Sequence, residues 1–121
     1  MLRFVTPYEL EVRETGLDEA TLVEIAGELD LMNASEVERR LVDIAGLTAS
    51  GVFVDLNRVT FVDSAALHML FRVASRIGDE QRFGIVLEPT ALVARTLAIV
   101  GLDAVASVRA TSAELAVEPS S

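Results

Sequence analysis

The segment Val52-Phe53-Val54-Asp55-Leu56 limits the folds open to this chain more than any other, since it is almost wholly apolar and rich in β-branched and aromatic side chains. Such a run suits a central strand covered on both faces, as in parallel sheets flanked by helices. Phe83 to Leu87 repeats the pattern and predicts a second buried strand. Three stretches of helical periodicity lie around these strands. The first starts at about Asn33–Ser35, where good caps sit. It runs to about Ala45 with Val37, Leu41, Val42 and Ile44 on its apolar face, and Gly46 is placed to stop it. The second runs from Ser64 or Ala65 to about Ile77, carries Leu67, Leu70, Phe71, Ala74 and Ile77, and ends at Gly78 and Asp79. The third begins at Pro89 and Thr90, carries Leu92, Val93, Leu97 and Val100, and closes at Gly101.

Upstream, Tyr8 to Arg13 alternates polar and apolar residues and Thr21 to Ala26 is a second extended run, with Gly16 and Asp18 between them. This predicts a hairpin of half-exposed strands. Gly27 to Asp30 is expected to leave the second strand and lead into the first helix. A turn through Asn57 and Arg58 is expected before Val59 to Ser64. Val105 to Val108 reads as a short edge strand, Thr111 to Val117 as a last short helix, and Glu118 to Ser121 as a frayed tail. The expected architecture is α/β, with a mixed sheet backed by helices. At 121 residues the chain suits a single domain spanning 1–121, with a core over about 8–115.

Composition narrows function. The formal net charge is −9, which repels phosphate backbones and anionic lipid, so neither nucleic acid nor a membrane is an expected partner. A basic protein surface remains an attractive one. All ten basic residues are Arg, and the absence of Lys removes phosphate-loop, Schiff-base and receiver-domain chemistry. With no Cys there are no disulfides and no thiolate or cysteine metal sites, and no metal or cofactor is expected. No signal-peptide core or membrane-length apolar run is visible, and a cytoplasmic location is expected.

The densest signal lies between Val52 and Ile77, where a buried strand gives way to Asp63 and Ser64 at a helix start. The first amides of a helix have no intrahelical partners and carry partial positive charge, so a carboxylate or phosphate is well tolerated there. Phosphorylation of Ser64 would add roughly −1.5 to −2 charges without unfolding the helix and would repel a partner packed against the neutral hydroxyl. An ordinary N-cap at Asp63 or Ser64 accounts for the same pattern equally well.

Four stretches together resemble the STAS domain family, the anti-sigma-factor antagonists of bacterial partner-switching systems: Gly27-Glu28-Leu29-Asp30; Val54-Asp55-Leu56 with Val59; Phe61-Val62-Asp63-Ser64; and Leu97, Ile99 and Gly101-Leu102-Asp103. The resemblance runs over roughly Tyr8 to Leu115. It implies a STAS-like mixed sheet of about four to five strands with about four helices on one side, no enzymatic activity, and a serine-kinase-type anti-sigma factor as partner. It places the phosphoacceptor on Ser64 and a partner-contacting acid on Asp30. The chain departs from the family pattern at Ala66, where most antagonists carry Gly. On this reading Asp30, Asp63 and Ser64, with exposed Ala65, Ala66 and Met69, form the partner-binding surface. Two other readings stay open: an unphosphorylated regulatory subunit of a transporter or stress complex, and a nucleotide-binding STAS domain. Homodimerisation through sheet edges is also open.

Other residues carry less. His68 lies one turn after Ser64, but Asp63 is badly placed to orient it in a hydrolytic triad, and no nucleophile elbow surrounds the serine. Asp55 is expected to accept backbone amides, with Asn57 assisting. Arg58, Arg72, Arg76 and Arg82 read either as a solvated face or as an anion-binding patch.

Overall fold

The computed structural model of the chain describes residues 7–14, 21–48, 51–77, 83–101 and 107–109. In chain order the elements are β1 (Tyr8–Glu14), β2 (Thr21–Leu29), α1 (Ala34–Gly46), β3 (Val52–Val62), α2 (Ser64–Ile77), β4 (Phe83–Val86), α3 (Ala94–Ile99) and β5 (Ser107–Arg109). β1 pairs antiparallel with β2, as the alternating residues require, with Leu10 opposite Ile25 and Val12 opposite Val23. The remaining neighbours pair in parallel, giving one mixed sheet in the order β1-β2-β3-β4-β5. Each parallel step advances by one strand in the same direction, so right-handed crossovers put α1, α2 and α3 on one side of the sheet. The expected last helix at Thr111–Val117, the residues Gly16, Asp18 and Arg82, and the tail at 118–121 lie outside the described residues. Among the described residues no helix is long and apolar enough to cross a membrane.

The helix-covered face supplies the main core. Val23, Ile25, Val54, Leu56 and Ile85 of the sheet pack with Val37 and Leu41 of α1, Met69, Leu70 and Val73 of α2, and Leu97 of α3. Full burial of side chains of this size contributes about 1.5–3 kcal/mol each before entropy is counted. On the opposite face Leu22, Phe53 and Val86 form a second, smaller buried cluster. Apart from Asp55, β3 is therefore apolar on both faces between Val52 and Leu56, where both faces are covered.

Several boundaries differ from those read in the sequence. β2 does not end at Ala26 but continues to Leu29, and β3 passes through Asn57 and Arg58 without a turn. The punctuation residues there mark irregular pairing between the two strands, whose register shifts between Glu24 and Ala26 and again between Gly27 and Glu28. Gly27 has φ +101°, and a Cβ on it would lie 2.7 Å from the carbonyl oxygen of Pro7. That carbonyl also accepts a 3.3 Å hydrogen bond from the Glu28 amide. Pro89 and Thr90 open a series of turns, and α3 begins only at Ala94, which leaves Leu92 exposed where a buried position was expected. Val100, expected on the apolar face of the same helix, follows its end and is also exposed.

On α2 the buried residues are Ala66, Met69, Leu70, Val73, Ala74 and Ile77, while Leu67 and Phe71 are only half-buried. The helix is apolar at most positions, so the spacing alone allows more than one core-facing arc. The arc is fixed instead by the polar stripe Ser64, His68, Arg72 and Arg76, all four exposed. This orientation corrects the expectation that Ala66 and Met69 form an outer surface: both are fully enclosed.

Polar contacts tie α1 to its neighbours. Arg72 donates two hydrogen bonds to one carboxylate oxygen of Glu38, at 3.1 Å from Nε and 2.8 Å from the terminal nitrogen, and Arg76 approaches the other oxygen at 3.6 Å. The Arg72 guanidinium holds the Glu38 carboxyl below its ordinary range, and the carboxylate in turn raises Arg72. Arg72 and Arg76 thus act as a clamp between α1 and α2, which favours the solvated-face reading over an anion site. Tyr8 on β1 donates a 2.6 Å hydrogen bond to Glu36 and accepts one from Arg40 at 3.3 Å.

The connection from β2 to α1 is built around Asn33, whose relative exposure is 1%. Asn33 precedes α1 but its side chain makes no cap bond to the helix. It turns back into the loop, accepting from the Asp30 amide at 3.0 Å and donating to the Glu28 carbonyl at 2.8 Å. Replacing a buried, doubly bonded amide with alanine strands two backbone groups, so Asn33→Ala is expected to lower unfolding free energy by about 1–3 kcal/mol in urea denaturation. Gly27→Ala forces a Cβ into left-handed backbone and against Pro7. It is expected to cost a further, separately measurable ~1–3 kcal/mol, read as a lower denaturation midpoint at unchanged slope.

Candidate functional site

Three connections leave the carboxyl ends of the parallel strands: 30–33 after β2, Asp63 after β3, and 87–93 after β4. They gather at one end of the sheet, where open α/β architectures place their sites. Asp63 organises two of them. Its Oδ1 accepts from the Ala66 amide at 2.9 Å, and its carbonyl accepts from the Leu67 amide at 3.0 Å. This is N-cap geometry, and it makes Ser64 the first residue inside α2. The second carboxylate oxygen accepts from the Leu31 amide at 3.0 Å, and the Asp63 amide itself donates to the Leu29 carbonyl at 3.3 Å. One side chain therefore caps α2 and fastens the β2–α1 loop to it.

With Asp63 as the cap, Ser64 is left with an exposed side chain that makes no hydrogen bond among the described residues. Its Oγ stands in solvent at the positive end of a helix of 14 residues. Asp30 is half-buried in the facing loop, where its Oδ1 accepts from the Met32 amide at 2.9 Å and holds a tight turn. The structure thus brings Asp30, Asp63 and Ser64 to one place. Ala65 is half-buried beside them, while Ala66 and Met69 point away into the core and are out of reach of any docked molecule.

Three exposed apolar residues that the sequence reading did not assign to a binding surface lie toward this end of the sheet. Leu31 and Met32 project from the β2–α1 loop with relative exposures of 73% and 54%, and Phe61, near the end of β3, is 49% exposed. Phe61 pairs with Glu28, one residue before Leu29, so it lies on the same margin of the sheet. Two large apolar residues set inside the short turn Asp30–Asn33 fit neither a strand nor a helix period, and that mismatch was the available signal. Phe61 gave none, because an apolar aromatic inside a strand pattern reads as a buried position.

The geometry removes the triad alternative. Both carboxylate oxygens of Asp63 are occupied by backbone amides, so it does not orient His68, which is exposed. Asp55 behaves as expected, its Oδ1 accepting from the Asn57 amide at 2.8 Å, and Asn57 in turn accepts from the Glu88 amide at 2.7 Å. Among the described residues no cluster of three or more His, Asp or Glu side chains is arranged to hold a metal ion.

Comparison with known proteins agrees with this fold. Anti-sigma-F factor antagonist RsfB of Mycobacterium tuberculosis is 28% identical over 82 residues, a match that spans 68% of this chain and 66%, just under two-thirds, of that protein. The crystal structure of an anti-sigma factor antagonist from Mycobacterium paratuberculosis matches with a TM-score of 0.79 and 25% identity, covering 93% of this chain and 96% of that one. The Bacillus cell fate determinant SpoIIAA, in its phosphorylated form, has the same fold at a TM-score of 0.61 and 12% identity, over 89% of this chain and 97% of that one. The profile of the STAS domain matches residues 10–115, and on that match the protein belongs to the STAS domain family.

Proposed function

We propose that this protein is an anti-sigma-factor antagonist: it docks a serine-kinase-type anti-sigma factor against the surface around unphosphorylated Ser64, so that the sigma factor is freed, and it is ejected when Ser64 is phosphorylated. The protein has no catalytic step of its own. The partner's kinase transfers the γ-phosphoryl group of ATP to the Ser64 Oγ, the hydroxyl proton departs and ADP leaves.

The observation that carries this reading is the exposed, uncommitted Ser64 hydroxyl at the first position of α2, beside the exposed apolar residues Leu31 and Met32 and the acidic Asp30. An apolar centre with an acidic margin suits a partner surface that is apolar within and basic around it. Modification places a dianion at the edge of that contact. The charge is accommodated by the helix end, where Asp63 already accepts the Ala66 amide, and it is intolerable to a packed neighbour. That RsfB and the Mycobacterium paratuberculosis protein are anti-sigma factor antagonists supports the same assignment. The departure at Ala66 is absorbed internally, because its methyl group lies in the core and leaves the outer surface around Ser64 as a glycine would.

The test is quantitative binding to the anti-sigma kinase that copurifies with the wild-type chain, identified by its ATP-dependent phosphorylation of Ser64. Ser64→Ala is expected to bind like wild type. Ser64→Asp is expected to bind at least about tenfold more weakly, and so is Leu31→Glu, which places a charge in the contact without touching the core. Equal binding by Ser64→Asp and Ser64→Ala contradicts the assignment.

A further inference from the structure

Ser64, His68, Arg72 and Arg76 follow one another at four-residue intervals on α2, and all four are exposed. Residues at that spacing stand one above the other on a helix surface, with Cβ atoms about 5–6 Å apart. Side chains lean toward the helix amino terminus, so that of His68 leans back over the position of Ser64. The two arginines of the stripe are already committed, since both approach the carboxylate of Glu38 on α1. His68 is different: it makes no hydrogen bond or ion pair among the described residues. It is the one group on the stripe that can carry positive charge and remains available, in a chain that has no lysine and this single histidine.

We propose that His68 is the intramolecular counter-ion of phosphorylated Ser64, drawing the phosphoryl group back along the exposed face of α2 and making the phosphorylated state sensitive to pH near neutrality. The proposal rests on the reading of Ser64 as a phosphoacceptor and concerns what the phosphate meets once attached. A phosphoserine has its second ionisation near pH 6 and an imidazole titrates near pH 6.5, so over about pH 6–7 a dianion and an imidazolium coexist and attract. The sign follows from that attraction. The phosphate favours the charged imidazole and the imidazolium favours the fully ionised phosphate, so the pair holds below the raised titration midpoint of His68 and is lost as pH rises through it. Among the described residues, the other charges brought to this part of the molecule are Asp63, which caps α2, Arg72 and Arg76 on α2 itself, Glu38 from α1, which holds both arginines, and Asp30 from the β2–α1 loop. They are present with and without the phosphate, so they set a common baseline and the difference between the two states reports the pair.

His68 is thereby a positioning residue for the switch. Paired with His68, the negative charge would stand over the solvent-facing side of α2 at the margin of the contact, outside the Leu31 amide that Asp63 already occupies.

The test uses the full chain with phosphoserine incorporated at position 64 during synthesis, so that it needs no kinase. The ring protons of the single imidazole and the phosphorus nucleus are followed by NMR from pH 5 to 8.5. The His68 midpoint is expected to lie about half a pH unit to one pH unit higher in the phosphorylated chain than in the unmodified one. The phosphate's second ionisation is expected at lower pH in the wild type than in phosphorylated His68→Gln. An imidazole midpoint that does not move on phosphorylation, or a phosphate ionisation indifferent to His68→Gln, overturns the proposal. The antagonist reading fails separately, by a phosphorylated chain that still binds the anti-sigma kinase as tightly as the unmodified one, whatever the imidazole does.

Discussion

The carboxylate of Asp63 is the contact on which the rest of the site depends. A strand leaving a sheet into a helix exposes unpaired amides, and a loop crossing beside it exposes more. Asp63 answers one of each, the Ala66 amide in its own helix and the Leu31 amide in the facing loop. Because the aspartate takes the capping position, the serine that follows it is relieved of capping and keeps its hydroxyl outside. Because the same aspartate holds the β2–α1 loop, Leu31 and Met32 stand beside that hydroxyl. The juxtaposition of the Ser64 hydroxyl and the apolar loop residues is thus a consequence of one bidentate side chain, with Asn33 and Asp30 shaping the loop from within.

The division of α2 into an enclosed side and an exposed stripe gives the domain its tolerance of charge. Ala66, Met69, Leu70 and Val73 are fixed in the core, so the helix is held by packing that does not involve its amino-terminal surface. On the proposed reading, a phosphate at Ser64 alters only groups that stand in solvent. The clamp of Glu38 by Arg72 and Arg76 holds α1 against α2 independently of that event. On that reading, stability and switching fall to different residues of one helix, so the surface chemistry can change while the fold is kept.

Much of this was legible in the sequence, and the parts that were not have identifiable causes. The buried strand at Val52–Leu56, the antiparallel pair of opening strands and a helix start at Ser64 or Ala65 follow from short-range pattern, and the structure shows the strand, the pairing and a start at Ser64. The mixed sheet with helices on one side follows from alternation together with right-handed connection. The extents of β2 and β3 were misread because Gly27 and Asn57-Arg58 look like turn residues. In the fold, Gly27 instead meets the close approach of Pro7 and a register shift, both of which depend on a neighbouring strand that local sequence does not specify. The facing of α2 was misread at Ala66 and Met69 because a helix apolar at most positions does not reveal its inner side by its apolar residues. Its few polar ones, Ser64, His68, Arg72, Ser75 and Arg76, reveal the outer side, and they do so correctly. Leu31 and Met32 were passed over because they lie between capping and turn residues, where the eye looks for polar function.

Amide hydrogen exchange in wild type and Asp63→Ala tests the central role of that carboxylate most directly. Loss of the side chain is predicted to accelerate exchange at both Leu31 and Ala66 by about tenfold or more, the equivalent of one hydrogen bond, while Val54 on the central strand β3 stays protected. If the Leu31 amide exchanges at the wild-type rate in Asp63→Ala, the two connections are not held together by Asp63 and the account of the site is wrong.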